Sequence, residues 1–379
     1  MGKSRHLPPS NVLENHKQDR YLALDAWRGL AALGVVLFHL GIGSQIALGH
    51  ASVLVFFVIS GYCIAASAES CRRNQVGPVG YMWRRLRRIY PPYFFSLVYF
   101  LLTRFVKVRA GMGDQISHSV TIWVQNLTLT QWLSLVRHPA ASPFDNPTLF
   151  IAGYWSLNYE EQFYIVVGLL LVAATYLRSS LLPPIVWLVL PAFLWNVFHP
   201  AISYGFFLEY WVAFALGSVV FYRLCRLGAD RRRVWIDAGI VLLLAFSVFE
   251  SHTQSLQVRS VYFEWIVACS FSLVLLYTRR WDQKFAASWP GRILRVFGLT
   301  SYSLYLTQQC NLGASSILAG RLIRWGVPAS LEVPIRLVFI CAAGIAFWYC
   351  CERPFLNKAL PVESQKNAAS EDSLLPASA

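Results

Sequence analysis

Ala51-Ser52-Val53-Leu54-Val55-Phe56-Phe57-Val58-Ile59-Ser60-Gly61-Tyr62-Cys63-Ile64-Ala65-Ala66-Ser67-Ala68 runs for 18 residues without a charge. As a helix it rises ~27 Å, close to the ~30 Å hydrocarbon thickness of a bilayer. A helix that is apolar all round is buried in protein or lipid. The stretch therefore reads as a membrane span, closed by Arg72 and Arg73. Outward from it, apolar stretches recur at 29–48, 89–105, 118–136, 152–177, 182–199, 203–222, 235–250, 260–278 and 331–351, with a semi-polar one at 296–319. The stretch 118–136 carries Gln125, Asn126, Thr128, Thr130 and Gln131, a polar density that suits a re-entrant or surface segment better than a span. Ten spans remain, so the expected fold is an all-α, polytopic membrane helix bundle.

Composition agrees. Of 379 residues 56% are hydrophobic and 14% charged, against ~25% charged in an ordinary soluble domain. That excludes an ordinary soluble enzyme and a disordered scaffold. The net charge of +14 then calls for either a polyanion partner or a topological bias. With ten spans and a cytoplasmic N-terminus, 25 of the 33 Lys and Arg fall on the cytoplasmic side. The excess thus follows the positive-inside rule, both termini are expected in the cytoplasm, and nucleic acid is not expected as a partner. The chain divides into a tail at 1–22, a transmembrane domain at 23–358 and a disordered tail at 359–379. The first 20 residues lack the apolar core of a signal peptide. Eight cysteines show no metal-site spacing, so neither zinc nor a disulfide framework is expected.

Ionisable side chains at membrane depth are costly and usually functional. His39 falls near the middle of the first expected span, and Arg28 lies eleven residues earlier at its mouth. Eleven helical steps are three turns plus ~20°, so the two share a face ~16 Å apart, with Asp25 within ~40° of it. Taken alone, His39 reads equally well as a neutral imidazole bonded to a backbone carbonyl, and Arg28 as a topology anchor. Glu160 and Glu161 enter from the opposite face, at a depth where Glu160 can meet His39 and orient its ring. Ser156, Glu160 and Phe163 share one helical stripe; for Phe163 and Tyr164 plain core packing is the commoner role. The dense basic run Arg84-Arg85-Leu86-Arg87-Arg88 is either an inside anchor or a phosphate site. Gln308 and Gln309 line a polar cavity or bond between helices.

Together these motifs resemble the acyltransferase-3 family of bacterial integral membrane acyltransferases. Leu24-Asp25-Ala26-Trp27-Arg28-Gly29 ending at His39 is similar to the opening helix, and Phe56-Phe57-Val58-Ile59-Ser60-Gly61-Tyr62 to the second-helix signature. Trp155-Ser156-Leu157-Asn158-Tyr159-Glu160-Glu161-Gln162-Phe163-Tyr164 resembles the Ser-Leu-x-x-Glu-x-x-Phe-Tyr pattern. Ser301-Tyr302-Ser303-Leu304-Tyr305-Leu306 and Glu352-Arg353-Pro354-Phe355 match the closing signatures. One departure stands out: the late Tyr-Leu-x-His of many members is Tyr305-Leu306-Thr307-Gln308 here.

The resemblance implies transfer of an acyl group, commonly acetyl, from cytoplasmic acyl-coenzyme A to a hydroxyl of a carbohydrate or glycosylated acceptor, in the bacterial inner membrane. It places the catalytic His on His39, its partner Arg on Arg28 and the conserved Glu on Glu160. On this reading His39 is the general base, and Arg28 with some of Arg84, Arg85 and Arg88 holds the phosphates of coenzyme A. Acyl-CoA is then a substrate, with no permanently bound cofactor. The rival reading is a proton-coupled transporter or flippase of a small polar or lipid-linked solute, for which buried His, Arg and Glu also serve. No inverted halves with broken helices are evident in the sequence.

Overall fold

The computed structural model describes residues 21–356 except 110, 112–116, 118, 200, 201, 228, 229 and 254–260. The expected tails at 1–22 and 359–379 lie outside the described residues, apart from Tyr21 and Leu22. The described residues are helical, with one isolated antiparallel bridge between Ala140 and Ser203. In chain order the helices are α1 (Leu24–His39), α2 (Leu48–Arg73), α3 (Pro78–Arg109), α4 (Val120–Thr128) and α5 (Trp132–Arg137). Then come α6 (Trp155–Tyr176), α7 (Leu182–Trp187), α8 (Val189–Phe198), α9 (Trp211–Cys225) and α10 (Arg232–Thr253). The last are α11 (Val261–Thr278), α12 (Asp282–Ala287), α13 (Trp289–Leu299), α14 (Ser301–Arg324) and α15 (Glu332–Phe347).

Among the described residues six segments are long and apolar enough to cross a membrane: α2, α3, Ala152–Tyr176, Arg232–His252 in α10, Val261–Ala287 and Ala329–Phe355. The other four of the ten expected spans fall on shorter or more polar helices. α1 has 16 residues, α9 has 15, α7 and α8 split a third stretch, and α14 has 24 but carries Gln308, Gln309 and Asn311. The segment set apart for its polarity is broken too. α4 has nine residues and α5 six, with Leu129 between them in the left-handed region. Their polar side chains tie down a loop: Asn126 Nδ2 donates to Thr148 O at 2.7 Å, Gln131 Nε2 to Asn126 Oδ1 at 3.0 Å and Asn146 Nδ2 to Gln131 O at 2.8 Å. Buried backbone that helices do not satisfy must be satisfied this way.

The first expected span needs correcting. The stretch 29–48 is not one helix: α1 starts at Leu24 and stops at His39, and α2 starts at Leu48. Gly41, Gly43 and Ala47 all have positive φ, so the chain turns sharply there. His39 is thus the last residue of its helix rather than mid-span.

α2, apolar on every side, runs through the centre of the bundle, with Leu54, Val58, Ile59, Ile64, Ala65 and Ala68 buried. Its partner α9 approaches backbone to backbone. A Cβ on Gly61 would lie 2.0 Å from Phe214 O, and one on Gly217 would lie 1.8 Å from Val58 O. α1 and α13 meet through Gly29 and Gly298 in the same reciprocal way. Small residues permit such contacts between membrane helices. Gly217→Leu is therefore expected to destabilise the protein by more than the ~1–3 kcal/mol of ordinary overpacking, because carbonyls cannot yield as side chains do. Gly320→Ala, where a Cβ meets nothing within 4 Å, is expected to leave the melting temperature in detergent unchanged or raised. A Gly217→Leu protein that melts with wild type would refute this packing.

Candidate active site

α1 connects two cavities. The first, about 80 Å³ in volume, is lined by Arg28 of α1, Ser60 of α2, Arg85 and Arg88 of α3, Ser156, Glu160 and Tyr164 of α6, and Tyr302 and Tyr305 of α14. Helix periodicity selects them. Arg85 and Arg88 are three apart, and Ser156, Glu160 and Tyr164 are spaced by four, so each set shares a face. Arg84, although four residues before Arg88, is exposed, with Nη1 3.9 Å from Cys71 Sγ, and does not line the cavity. Asp25 is also outside, 4.0 Å from Arg295 Nε across the α1–α13 contact. Of the basic run, Arg85 and Arg88 alone line this cavity.

Three guanidinium groups face this cavity, and among the described residues no carboxylate lies within 4.0 Å of any of them. Arg85 lies 5.7 Å from the ring centroids of Tyr81 and Tyr164, and its Nε is buried without a hydrogen-bond partner. The one lining carboxylate, Glu160, is already engaged: Oε1 accepts from Tyr164 OH at 2.6 Å and from Ser60 Oγ at 3.2 Å. Glu352, buried near Arg88, is held by Ser303, whose Oγ donates to Oε2 at 2.6 Å and whose backbone N donates at 3.2 Å. The balance of charge is positive, and an anion with several oxygens is the ligand such a fork geometry suits.

The second cavity, about 700 Å³, is lined by His39, Gln309, Tyr305, Gly153, His50, Phe144, Asp145 and Trp155 among others. His39 Nδ1 is 2.9 Å from Val35 O, so Nδ1 carries the proton. Its Nε2 then accepts from Gln309 Nε2 at 2.7 Å, while Gln309 Oε1 accepts from Gly153 N at 3.1 Å. The expected contact of His39 with Glu160 is absent: both ring nitrogens are taken and the carboxylate lines the other cavity. Glu161 bonds to Tyr90 OH instead. Gln308, the position where many relatives carry His, is buried but lines neither cavity; its neighbour Gln309 is the one that touches His39.

Tyr305 and Val53 line both cavities and form the wall between them. Tyr305 OH donates to Gly153 O, so Ser156 Oγ is the donor in the 2.6 Å bond to Tyr305. Tyr302, Tyr305 and Gln309 are spaced by three and four along α14 and share one stripe. That spacing was the signal in the sequence for Gln309 over Gln308, and for Tyr305 as a residue of the site. Glu352 gave only a weak signal, since a single carboxylate after an apolar run resembles an interfacial anchor.

Comparison with known proteins agrees with this architecture. A family model described as an acyltransferase domain matches residues 21–353. YrhL of Bacillus subtilis (strain 168), named as a peptidoglycan O-acetyltransferase, is 30% identical over 168 residues, covering 42% of this chain and 25% of the relative. The O-acetyltransferase OatA of Staphylococcus aureus is 29% identical over 166 residues, covering 42% of this chain and 26% of the relative. The matches thus span about a quarter of each of these two proteins. BcsY of Komagataeibacter xylinus, named as a membrane-bound transacylase, is 27% identical over 317 residues, 78% of this chain and 74% of the relative. No solved structure matches. With the family's domain matched over residues 21–353 and apolar helices bundled around two cavities that share a wall, the chain is a multi-pass membrane protein that belongs to the acyltransferase-3 family.

Proposed function

We propose that the protein moves an acyl group, acetyl in the simplest case, from acyl-coenzyme A to a carbohydrate hydroxyl across the wall formed by Tyr305 and Val53. One observation carries the reading: a cavity with three arginines and a cavity with an imidazole share that wall. Coenzyme A has a phosphate-rich end and a reactive end separated by a slender arm, and the cavities match that division. The arginine end is assigned to the cytoplasm of a bacterial inner membrane by the positive-inside rule. The names of YrhL and OatA support a hydroxyl of a glycan as the acceptor.

In this mechanism the acceptor hydroxyl displaces Gln309 from His39 Nε2 and gives up its proton there as its oxygen attacks the thioester carbonyl. Gln309 Nε2–H, released from the imidazole, is placed to donate to the oxyanion of the tetrahedral intermediate. The carbon–sulfur bond then breaks, and the thiolate takes the proton back from His39. Val35 O holds Nδ1–H throughout, so the ring keeps one tautomer. Glu160, held by Tyr164 and Ser60, acts on the arginine side only through its field at Arg88 and leaves the guanidinium groups free for the donor.

The test is a pair of arginine variants. A charge-assisted hydrogen bond contributes ~1.5–3 kcal/mol, so Arg88→Ala is expected to raise KM for acetyl-CoA by about 10- to 100-fold. Arg84→Ala, one residue outside the cavity face, is expected to leave it within about twofold. Equal effects at the two positions would refute the donor site. Accumulation of an unmodified solute in sealed vesicles, with no release of coenzyme A, would favour the transport reading instead.

A further inference from the structure

The larger cavity holds a second imidazole for which the acyl-transfer mechanism has no task. His50 stands in the first turn of α2, across the sharp turn from His39, and both line the same space. Its Nε2 lies 3.1 Å from Oε1 of Glu264, a buried carboxylate in the first turn of α11. A carboxylate only accepts, so Nε2 carries a proton, and in the neutral ring Nδ1 keeps its lone pair. Among the described residues Nδ1 has no hydrogen-bond partner, and it is not one of the buried unsatisfied atoms. The ring is fixed by stacking on Trp155 at 6.1 Å and on Phe263 at 6.3 Å. The result is a hydrogen-bond acceptor held in place at the lining of a roomy cavity.

The surroundings narrow what it accepts from. The wall near it offers the aromatic side chains of Trp155 and Phe144, and the carboxylate of Asp145. Apolar faces with a few fixed polar groups make a site for a small ligand. A lone pair on an imidazole and a carboxylate both select a ligand that donates, and flat aromatic surfaces suit its apolar face. A saccharide ring, with hydroxyls at its edge and C–H groups on its faces, has that chemistry. A tie between α2 and α11 alone would not call for an imidazole with an open nitrogen, and burying a carboxylate is costly.

We propose that His50, oriented by Glu264, is the acceptor-binding residue of the larger cavity. Its Nδ1 accepts a hydrogen bond from a saccharide hydroxyl other than the one that His39 deprotonates. This rests on the acyl-transfer reading and adds to it the residue that positions the sugar.

Asparagine and glutamine separate this role from a structural one, because Asn places its amide near Nδ1 and Gln places it near Nε2. Full-length protein in detergent is assayed with labelled acetyl-CoA and a titrated glycan extract of the producing cells. His50→Asn is expected to keep the acceptor KM within about threefold of wild type. His50→Gln is expected to keep the contact with Glu264 and the melting temperature while raising the acceptor KM about 10-fold, the size of one lost hydrogen bond. KM for acetyl-CoA is expected to stay constant in both. The reverse pattern, with Gln behaving as wild type and Asn destabilised, would mean a helix tie and overturn the proposal. So would an equal rise in both KM values. A wild-type protein that binds acetyl-CoA but acylates nothing in the extract overturns the acyl-transfer reading, and this proposal with it.

Discussion

Replacing His39 by alanine is expected to reduce acyl transfer by about 10²- to 10⁴-fold, the usual contribution of a positioned acid–base group, while acetyl-CoA still binds. The effect should fall on kcat, because His39 lines the cavity away from the arginines. It should not fall on stability. The side chain is half-buried at the end of α1, its Nδ1 bond is to a carbonyl of its own helix, and its Nε2 partner Gln309 keeps a second bond to Gly153. Thermal melting in detergent and acetyl-CoA binding are the controls, and labelled acetyl transfer is the measurement. His39→Gln is expected to be equally inactive, since an amide does not take up a proton near neutral pH. Wild-type transfer by either variant would remove His39 from the mechanism.

Much of the fold was legible because hydrocarbon leaves so few options. A run such as 51–68, without a charge, has to be a helix within the membrane or within protein, and α2 is both long and central. Polarity marked 118–136 as different, and there the chain breaks into short helices whose Asn and Gln side chains satisfy a loop. Hydropathy did not mark the end of α1. The stretch 40–48 contains Leu40, Ile42, Ile46 and Leu48 and reads as apolar, yet Gly41 and Gly43 turn the backbone where a window average cannot register it.

The site was legible by residue type and less so by partner. Arg28, Arg85, Arg88, Ser156, Glu160 and Tyr164 do converge on one cavity, because i, i+3 and i+4 spacing survives any detail of packing. The predicted meeting of His39 and Glu160 rested on depth alone. Depth leaves the azimuth of each helix open, and Tyr164, one turn below Glu160, was already positioned to take its carboxylate. Arg84 was grouped with its neighbours by sequence, and its four-residue spacing from Arg88 gives no reason to separate it; its exposure beside Cys71 in the assembled helices does. Gln309 was read as a cavity or interhelical residue, and both hold; the residues that the sequence did not single out for the site, Tyr305 and His50, carry no fixed charge. They gain their place from cavities that only the assembled helices create.

Val53→Trp is expected to stop transfer by at least about 100-fold without emptying the arginine cavity. Arg28 and His39 are ~16 Å apart along α1 by helical rise, so a donor held by its phosphates has to extend its arm past the shared wall. Val53 and Tyr305 form that wall, and the cavity on the arginine side has only about 80 Å³ of room. An indole in place of an isopropyl group at Val53 fills the passage. Even a 1 Å displacement of a reacting group lowers rates by about 10²-fold, and a blocked arm is displaced by more. Adenosine 3′,5′-bisphosphate, which carries phosphates but no arm, is expected to bind this variant as it binds wild type. That result separates a plugged passage from an unfolded protein. Val53→Ala widens the same passage and is expected to transfer within a few-fold of wild type. If Val53→Trp binds the nucleotide and still transfers acetyl at the normal rate, the acyl chain reaches His39 by another route, and the two cavities are not the two ends of one donor site.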